Sequence, residues 1–191
     1  IINSLPQAEL SISDGESFCQ NAETRNISLV EGTPENIELI NIKINDIQTN
    51  ILNPSEYGAT GEPETITITA LIRNQQTQCT NTLIRNITIN PLPQAELSIT
   101  NGQNFCRSED TVEINLAGGT PENIELIQVK INDTNTNTLN LSQYAAGDTP
   151  ETVKVTAKIS DRQTQCENSF TYDVIINSLP QAELSISDGE S

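Results

Sequence analysis

The chain has 191 residues, a formal net charge of −17, no His, no Met, no Trp and only 3% aromatic residues. The acidity argues against nucleic acid, whose phosphates demand Lys and Arg, and against an anionic membrane surface. Without His the commonest general base and metal ligand is missing, and no stretch approaches the ~18 apolar residues of a membrane span.

Repeats organise the sequence. Leu-Pro-Gln-Ala-Glu-Leu-Ser-Ile begins at Leu5, again at Leu92 and again at Leu179, a period of 87 residues. The expected pieces are residues 1–4 as the end of a preceding module, module one over 5–91, module two over 92–178, and 179–191 as the first strand of a third module. Residues 1–17 recur unchanged at 175–191, whereas the middle copy departs at Thr100, Asn101, Gln103 and Asn104. The longer repeat is therefore 174 residues, which predicts a parent array of alternating modules. The opening Ile-Ile-Asn has no signal-peptide character and reads as an internal piece of a longer protein.

In chain order, module one predicts short strands at Ala8–Ile12 and Asn26–Val30, a longer one at Ile37–Asn45 with Ile40, Ile42 and Ile44 inward, and a weak one near Thr49–Asn53. The clearest is Thr65–Ile72, which alternates with period two. Its counterpart is Thr152–Ile159: the face of Ile66, Ile68, Ala70 and Ile72 stays apolar, while Thr67 and Leu71 become Lys154 and Lys158. That exchange fixes which face meets water and so fixes the register. Leu83–Asn90 closes the module. The equivalents in module two are Ala95–Ile99, Glu113–Ala117, Ile124–Asn132 and Phe170–Asn177. Turn chemistry separates them at Asp14-Gly15, Gly32–Pro34, Gly58–Pro63 and Asn101-Gly102. No segment sustains a helical period. The expected fold is all-β: tandem immunoglobulin-like antiparallel β-sandwiches of about seven strands each.

Cys19, Cys79, Cys106 and Cys166 obey the same period, one pair per module. Four cysteines allow three connectivities. Like modules should pair alike, so the expectation is one disulfide per module, Cys19–Cys79 and Cys106–Cys166. Closing a loop of that length is worth roughly 4 kcal/mol on the chain-entropy model. Disulfides point to an oxidising, extracellular setting. Asn90-Pro-Leu-Pro93 forms the joint, its prolines ending one strand and stiffening the crossing.

The proline joint, Gly15 and Cys19 (Gly102 and Cys106), Gly32-Thr-Pro34 (Gly119-Thr-Pro121) and Thr77-Gln-Cys79 (Thr164-Gln-Cys166) together resemble the tandem immunoglobulin-like (PKD-like) repeats of large secreted Bacteroidetes surface proteins such as gliding-motility adhesins. The resemblance covers essentially the whole chain. It implies modules of a secreted, cell-surface stalk or filament. Asp110-Thr111-Val112 also resembles the short O-glycosylation motif of that group, which makes Thr111 the candidate glycosylation site. Asn-x-Ser/Thr sequons at Asn26, Asn86, Asn132 and Asn140 are expected by chance in a chain this rich in Asn and Thr.

Three carboxylate pairs are the candidates for acid–base chemistry: Glu35 with Glu38, Glu62 with Glu64, and Asp148 with Glu151. All fall in or beside turns, without the cleft that paired-carboxylate catalysis needs, so the chain is not expected to be an enzyme. No cofactor is expected. Calcium at the joints is the alternative, through Glu9, Asp14, Glu16 and Glu96, although no Asp-x-Asp-x-Asp-Gly loop exists. Tyr57 and Tyr144 read as lids over the core edge. The leading function is a structural stalk or filament repeat of an extracellular surface adhesin, each module advancing the array by about 40 Å. The alternative is a module whose loops bind a glycan or protein receptor. Neighbouring modules are the expected partners, with lateral or end-to-end self-assembly by strand addition.

Overall fold

The computed structural model describes residues 2–13, 15–33, 36–58, 61–99 and 102–182. It divides into two compact units, Ile1–Leu92 and Pro93–Ser191. The first holds strands β1 (Gln7–Ile12), β2 (Ser17–Cys19), β3 (Arg25–Thr33), β4 (Ile37–Ile44), β5 (Ile47–Gln48), β6 (Ile51–Leu52), β7 (Glu64–Asn74) and β8 (Thr80–Asn90). The second repeats them as β9 (Gln94–Ile99), β10 (Asn104–Cys106), β11 (Thr111–Thr120), β12 (Ile124–Ile131), β13 (Thr134–Asn135), β14 (Thr138–Asn140), β15 (Glu151–Asp161) and β16 (Glu167–Asn177). One short 3-10 turn per unit, Pro54–Glu56 and Leu141–Gln143, is the only helical structure among the described residues.

Each unit is an immunoglobulin-like sandwich of a three-stranded and a five-stranded sheet. The orders are β1-β3-β6 and β2-β8-β7-β4-β5 in the first, and β9-β11-β14 and β10-β16-β15-β12-β13 in the second. All pairings are antiparallel except β2 with β8 and β10 with β16, which are parallel. The expected seven antiparallel strands thus become eight with one parallel edge. The three-residue strands β2 and β10 carry one core side chain each, Phe18 and Phe105, too little for a periodic signal.

The alternation in β7 and β15 is a burial pattern. Ile66, Ile68, Ala70 and Ile72, and Val153, Val155, Ala157 and Ile159, are all fully buried. Each such Ile or Val side chain contributes roughly 1.5–3 kcal/mol relative to exposure. Lys154 is exposed on the opposite face, and Lys158 is half-buried there, paired with Glu167.

In β4 the simple alternation fails. Ile42 and Ile44 are buried as expected, but Ile40 is 42% exposed and its equivalent Ile127 is 46% exposed. The register against β7 shifts between Leu39 and Asn41, and that of β12 against β15 between Leu126 and Gln128. A β-bulge inserts one unpaired residue and so changes which residues face inward on one side of it. Ile40 and Ile127 are those residues.

The β4–β5 hairpin closes on Asn45 and Asp46, with φ of 43° and 68°, and β12–β13 closes on Asn132 and Asp133 in the same conformation. Two successive positive φ values define the turn whose twist suits a two-residue hairpin, and Asn and Asp tolerate them best after Gly. The Asn side chains also extend the sheet: Asn45 Oδ1 accepts from Thr67 N, and Asn132 Oδ1 from Lys154 N, both at 2.9 Å. The strand expected in 179–191 lies outside the described residues from 183 onward, and residues 179–182 form no strand.

Candidate functional site

Three of the six carboxylate candidates, Glu38, Glu64 and Glu151, are committed to structure. Glu64 Oε2 accepts from Gly58 N, and Glu151 Oε2 from Ala145 N, both at 2.8 Å. Each pins the loop before β7 or β15 where the backbone enters the left-handed region, at φ 70° for Gly58 and 52° for Ala145. Glu62 and Asp148 are exposed on those loops. Glu38 pairs with Arg73 across the β4–β7 ladder, as Glu125 pairs with Arg162 at 3.0 Å. Hydrogen bonds from Arg73 and then Gln75 hold the Glu38 carboxyl below its ordinary value. Glu35 lies outside the described residues.

Glu9 and Glu96 are exposed on β1 and β9. Glu16 faces Arg85 at 3.5 Å, and Asp14 lies outside the described residues. Among the described residues no three acidic, His or Cys side chains gather around one point. Thr111 is exposed at the start of β11, beside a turn in which Ser108 Oγ donates to Asp110 Oδ2 at 3.0 Å. Two of the sequon asparagines serve as caps. Asn132 does so in its hairpin, and Asn140 accepts from Ser142 N at 3.0 Å to start the 3-10 turn. Tyr57 and Tyr144 end the two 3-10 turns and pack half-buried on the cores. Burial pushes both phenols up, with smaller contributions from neighbouring glutamates.

One titratable group sits deep in a turn. Asp161, 5% exposed, ends β15. Burial disfavours its charge, but hydrogen bonds outweigh that and lower its pKa. The Thr164 hydroxyl donates to Oδ2 at 2.7 Å and Gln163 N to Oδ1 at 2.8 Å, with further bonds from Thr164 N and Asn123. Asn74 fills this place in the first unit, accepting from Gln76 N and Thr77 N. A neutral amide thus does the same work, which marks Asp161 as a turn residue.

The cavities are grooves at the sandwich surface. One of about 560 Å³ runs along the start of β9 and the end of β11 to Tyr172. Another in the first unit, about 510 Å³, lies between β1 and β8. Neither gathers a nucleophile with a base.

The structure corrects the cysteine pairing. Cys19 and Cys166 are disulfide-bonded, whereas Cys79 and Cys106 carry free thiols. Cys19 lies opposite Asn90, the last residue of β8, while Cys79 directly precedes Thr80, the first. Eleven residues of strand separate them, roughly 35 Å at ~3.3 Å per residue. A disulfide needs Cα atoms within about 7 Å. Cys106 and Cys166 stand in the same relation at the two ends of β16. A bridge within either module is therefore geometrically closed, and one disulfide per module does not hold.

Both ends of each unit are fixed by repeated contacts. At the entry, Asn81 Nδ2 donates to Pro6 O and Asn168 Nδ2 to Pro93 O, both at 2.9 Å. At the exit, Gln20 N donates to Asn90 O at 2.8 Å and Arg107 N to Asn177 O at 2.9 Å. Composition alone gave no hint of the two asparagines. Their equal place in both copies is the signal that could have found them.

No family model and no curated protein matches the chain. Among solved structures it is similar to the fibronectin(III)-like modules of Clostridium thermocellum CbhA, at 9% identity over 93% of this chain and 100% of that one, TM-score 0.38. It is also similar to extracellular domains 3–5 of Drosophila OTK, at 12% identity over 90% of this chain and 62% of that one, TM-score 0.37. A third is titin domains I67–I69, at 12% identity over 91% of this chain and 65% of that one, TM-score 0.37. Likeness at this level says nothing of function, and the class of fold rests on the sheets themselves.

Proposed function

We propose that the chain is a structural repeat of an extracellular array, spacing and presenting other regions of a cell-surface protein. The observation that carries this reading is the period itself: two sandwiches of one pattern, joined by Asn90-Pro-Leu-Pro93 with almost no spare residues. The entry prolines are tied down by Asn81 and Asn168, so the joint is held at its point of arrival. The commitment of Glu38, Glu64, Glu151 and Asp161 to ladders and turns supports a non-catalytic role. Bonded cysteines support an oxidising compartment outside the cell, and the charge of −17 suits neighbours that must not adhere at random. The adhesin-stalk reading adds the resemblance to Bacteroidetes surface repeats.

Solution scattering tests the reading. A two-module stalk has a maximum dimension near 80 Å, taking about 40 Å per module from strand length and end turns. A particle no longer than a compact globule of this mass contradicts it.

A further inference from the structure

We propose that the second unit binds a neutral saccharide in the groove along β9, β11 and β16, a site the first unit lacks. The groove of about 560 Å³ meets another of about 310 Å³ at Gln94, Ala95 and Tyr172, and Phe170 lines the smaller one. Both sizes fall within the roughly 300–1,000 Å³ of small-molecule sites. Phe170 and Tyr172 are the aromatic residues of the second unit with no aromatic equivalent in the first. Phe105 matches Phe18 and Tyr144 matches Tyr57, whereas Phe170 and Tyr172 stand where the first unit has Leu83 and Arg85. Their rings meet edge to face, with centroids 5.8 Å apart and planes at 79°.

Further exchanges between the copies open this edge of the sandwich. In the first unit Arg85 donates to Leu10 O of β1 and faces Glu16 at 3.5 Å, which straps β8 to β1. Tyr172 and Gln103 hold those positions in the second unit, and a phenol beside an amide cannot repeat the ion pair. Leu10 and Ile12 are buried, whereas Leu97 and Ile99, in the same Gln-Ala-Glu-Leu-Ser-Ile sequence, are half-buried. Val30 and Glu31 give way to Ala117 and Gly118. A Cβ at Gly118 would meet no atom within 4 Å, so the missing side chain leaves open space in the groove wall.

The lining selects the chemistry of the ligand. Glu96 is its one charged residue, with no Lys or Arg beside it. In a chain of net charge −17 an anion is repelled from such a site. Among the described residues none hydrogen-bonds the side chains of Gln94, Glu96, Thr120 or Tyr172. Four uncommitted polar side chains therefore share one groove with an aromatic pair. A sugar ring matches both parts. Its C–H face is apolar and weakly positive and lies on the negative face of an aromatic ring, while its hydroxyls pair with amide, carboxylate and hydroxyl groups. An apolar peptide would cover the same polar groups and leave them without partners.

Proton–nitrogen NMR of the 191-residue chain tests the site. The neutral probes are cellobiose, maltose, lactose and chitobiose; a heparin disaccharide and a proline-rich peptide are the other arms. At millimolar concentration at least one neutral disaccharide should shift the amides of Gly118, Gly119 and Tyr172 and leave those of Val30 and Arg85 in place. Shifts from none of the neutral sugars, shifts only elsewhere, or larger shifts from the heparin disaccharide or the peptide overturn the proposal. Gly118→Glu restores the first-unit residue at a position with open space and a φ outside the left-handed region. It should keep the urea midpoint and weaken binding by about tenfold or more, because a carboxylate side chain then fills the wall. Tyr172→Arg, the other first-unit residue, should do the same to binding. Undiminished binding in both variants overturns the site. The stalk reading needs no ligand, so failure here leaves it to scattering.

Discussion

The bulge in β4 makes a sharp prediction, because periodicity and structure disagree about one residue. Alternation alone puts Ile40 and Ile42 on one face and assigns them equal cost on truncation. The structure leaves Ile42 6% exposed and Ile40 42% exposed. Ile42→Ala should lose nearly a whole side chain of burial and leave a cavity, at about 3 kcal/mol, within the usual range for such changes. Ile40→Ala removes a side chain already half in water beside an unpaired backbone step, at about 1 kcal/mol or less. With a urea slope on the order of 1 kcal/mol/M for a domain of this size, the midpoint of the first unit should fall by about 3 M against about 1 M. Circular dichroism gives the midpoints, and hydrogen exchange of the β7 amides assigns them to the first unit. Equal losses for the two variants would refute the bulge and restore simple alternation. Ile127→Ala against Val129→Ala repeats the test in the second unit, with a smaller contrast because valine is the smaller side chain.

Three further outcomes follow from particular contacts. Asp161 has a folded pKa below its ordinary value, so its contribution to stability is present above the unfolded carboxylate pKa and is lost as pH falls through the folded one. Asp161→Asn should keep the turn, as Asn74 does, and flatten that acid-side slope in urea midpoints measured against pH. Glu151→Ala leaves the N–H of buried Ala145 without its acceptor and should cost about 1–3 kcal/mol, whereas Glu151→Gln retains a carbonyl acceptor and should cost less, both read from urea unfolding. Asn168→Ala removes the tie to Pro93 O and should cost about 1 kcal/mol, with faster hydrogen exchange at the start of β16 as the local readout.

Much of the fold is legible in the sequence where burial is one-sided. Strands β7 and β15 declare themselves because every second residue enters the core, and the lysines of the second copy mark the wet face. The three-residue β2 and β10 do not, since one Phe makes no period. The bulges at Ile40 and Ile127 are masked because each isoleucine keeps step with the inward residues that follow it, Ile42 and Ile44 or Val129 and Ile131, so alternation alone counts it as buried. The repeat identifies which cysteines are equivalent, but not which end of a strand each occupies. That depends on β2 running parallel to β8, a pairing distant in sequence. The carboxylates were legible as turn residues; their acceptance of Gly58 N and Ala145 N was not.

A stalk differs from a compact particle in how its length grows with copy number. Small-angle scattering of the 191-residue chain and of a chain carrying the 174-residue unit twice compares their maximum dimensions. A stalk predicts near doubling, from about 80 Å to about 160 Å. Growth by only about a third, as for compact packing in which size rises as roughly the 0.38 power of length, would contradict it.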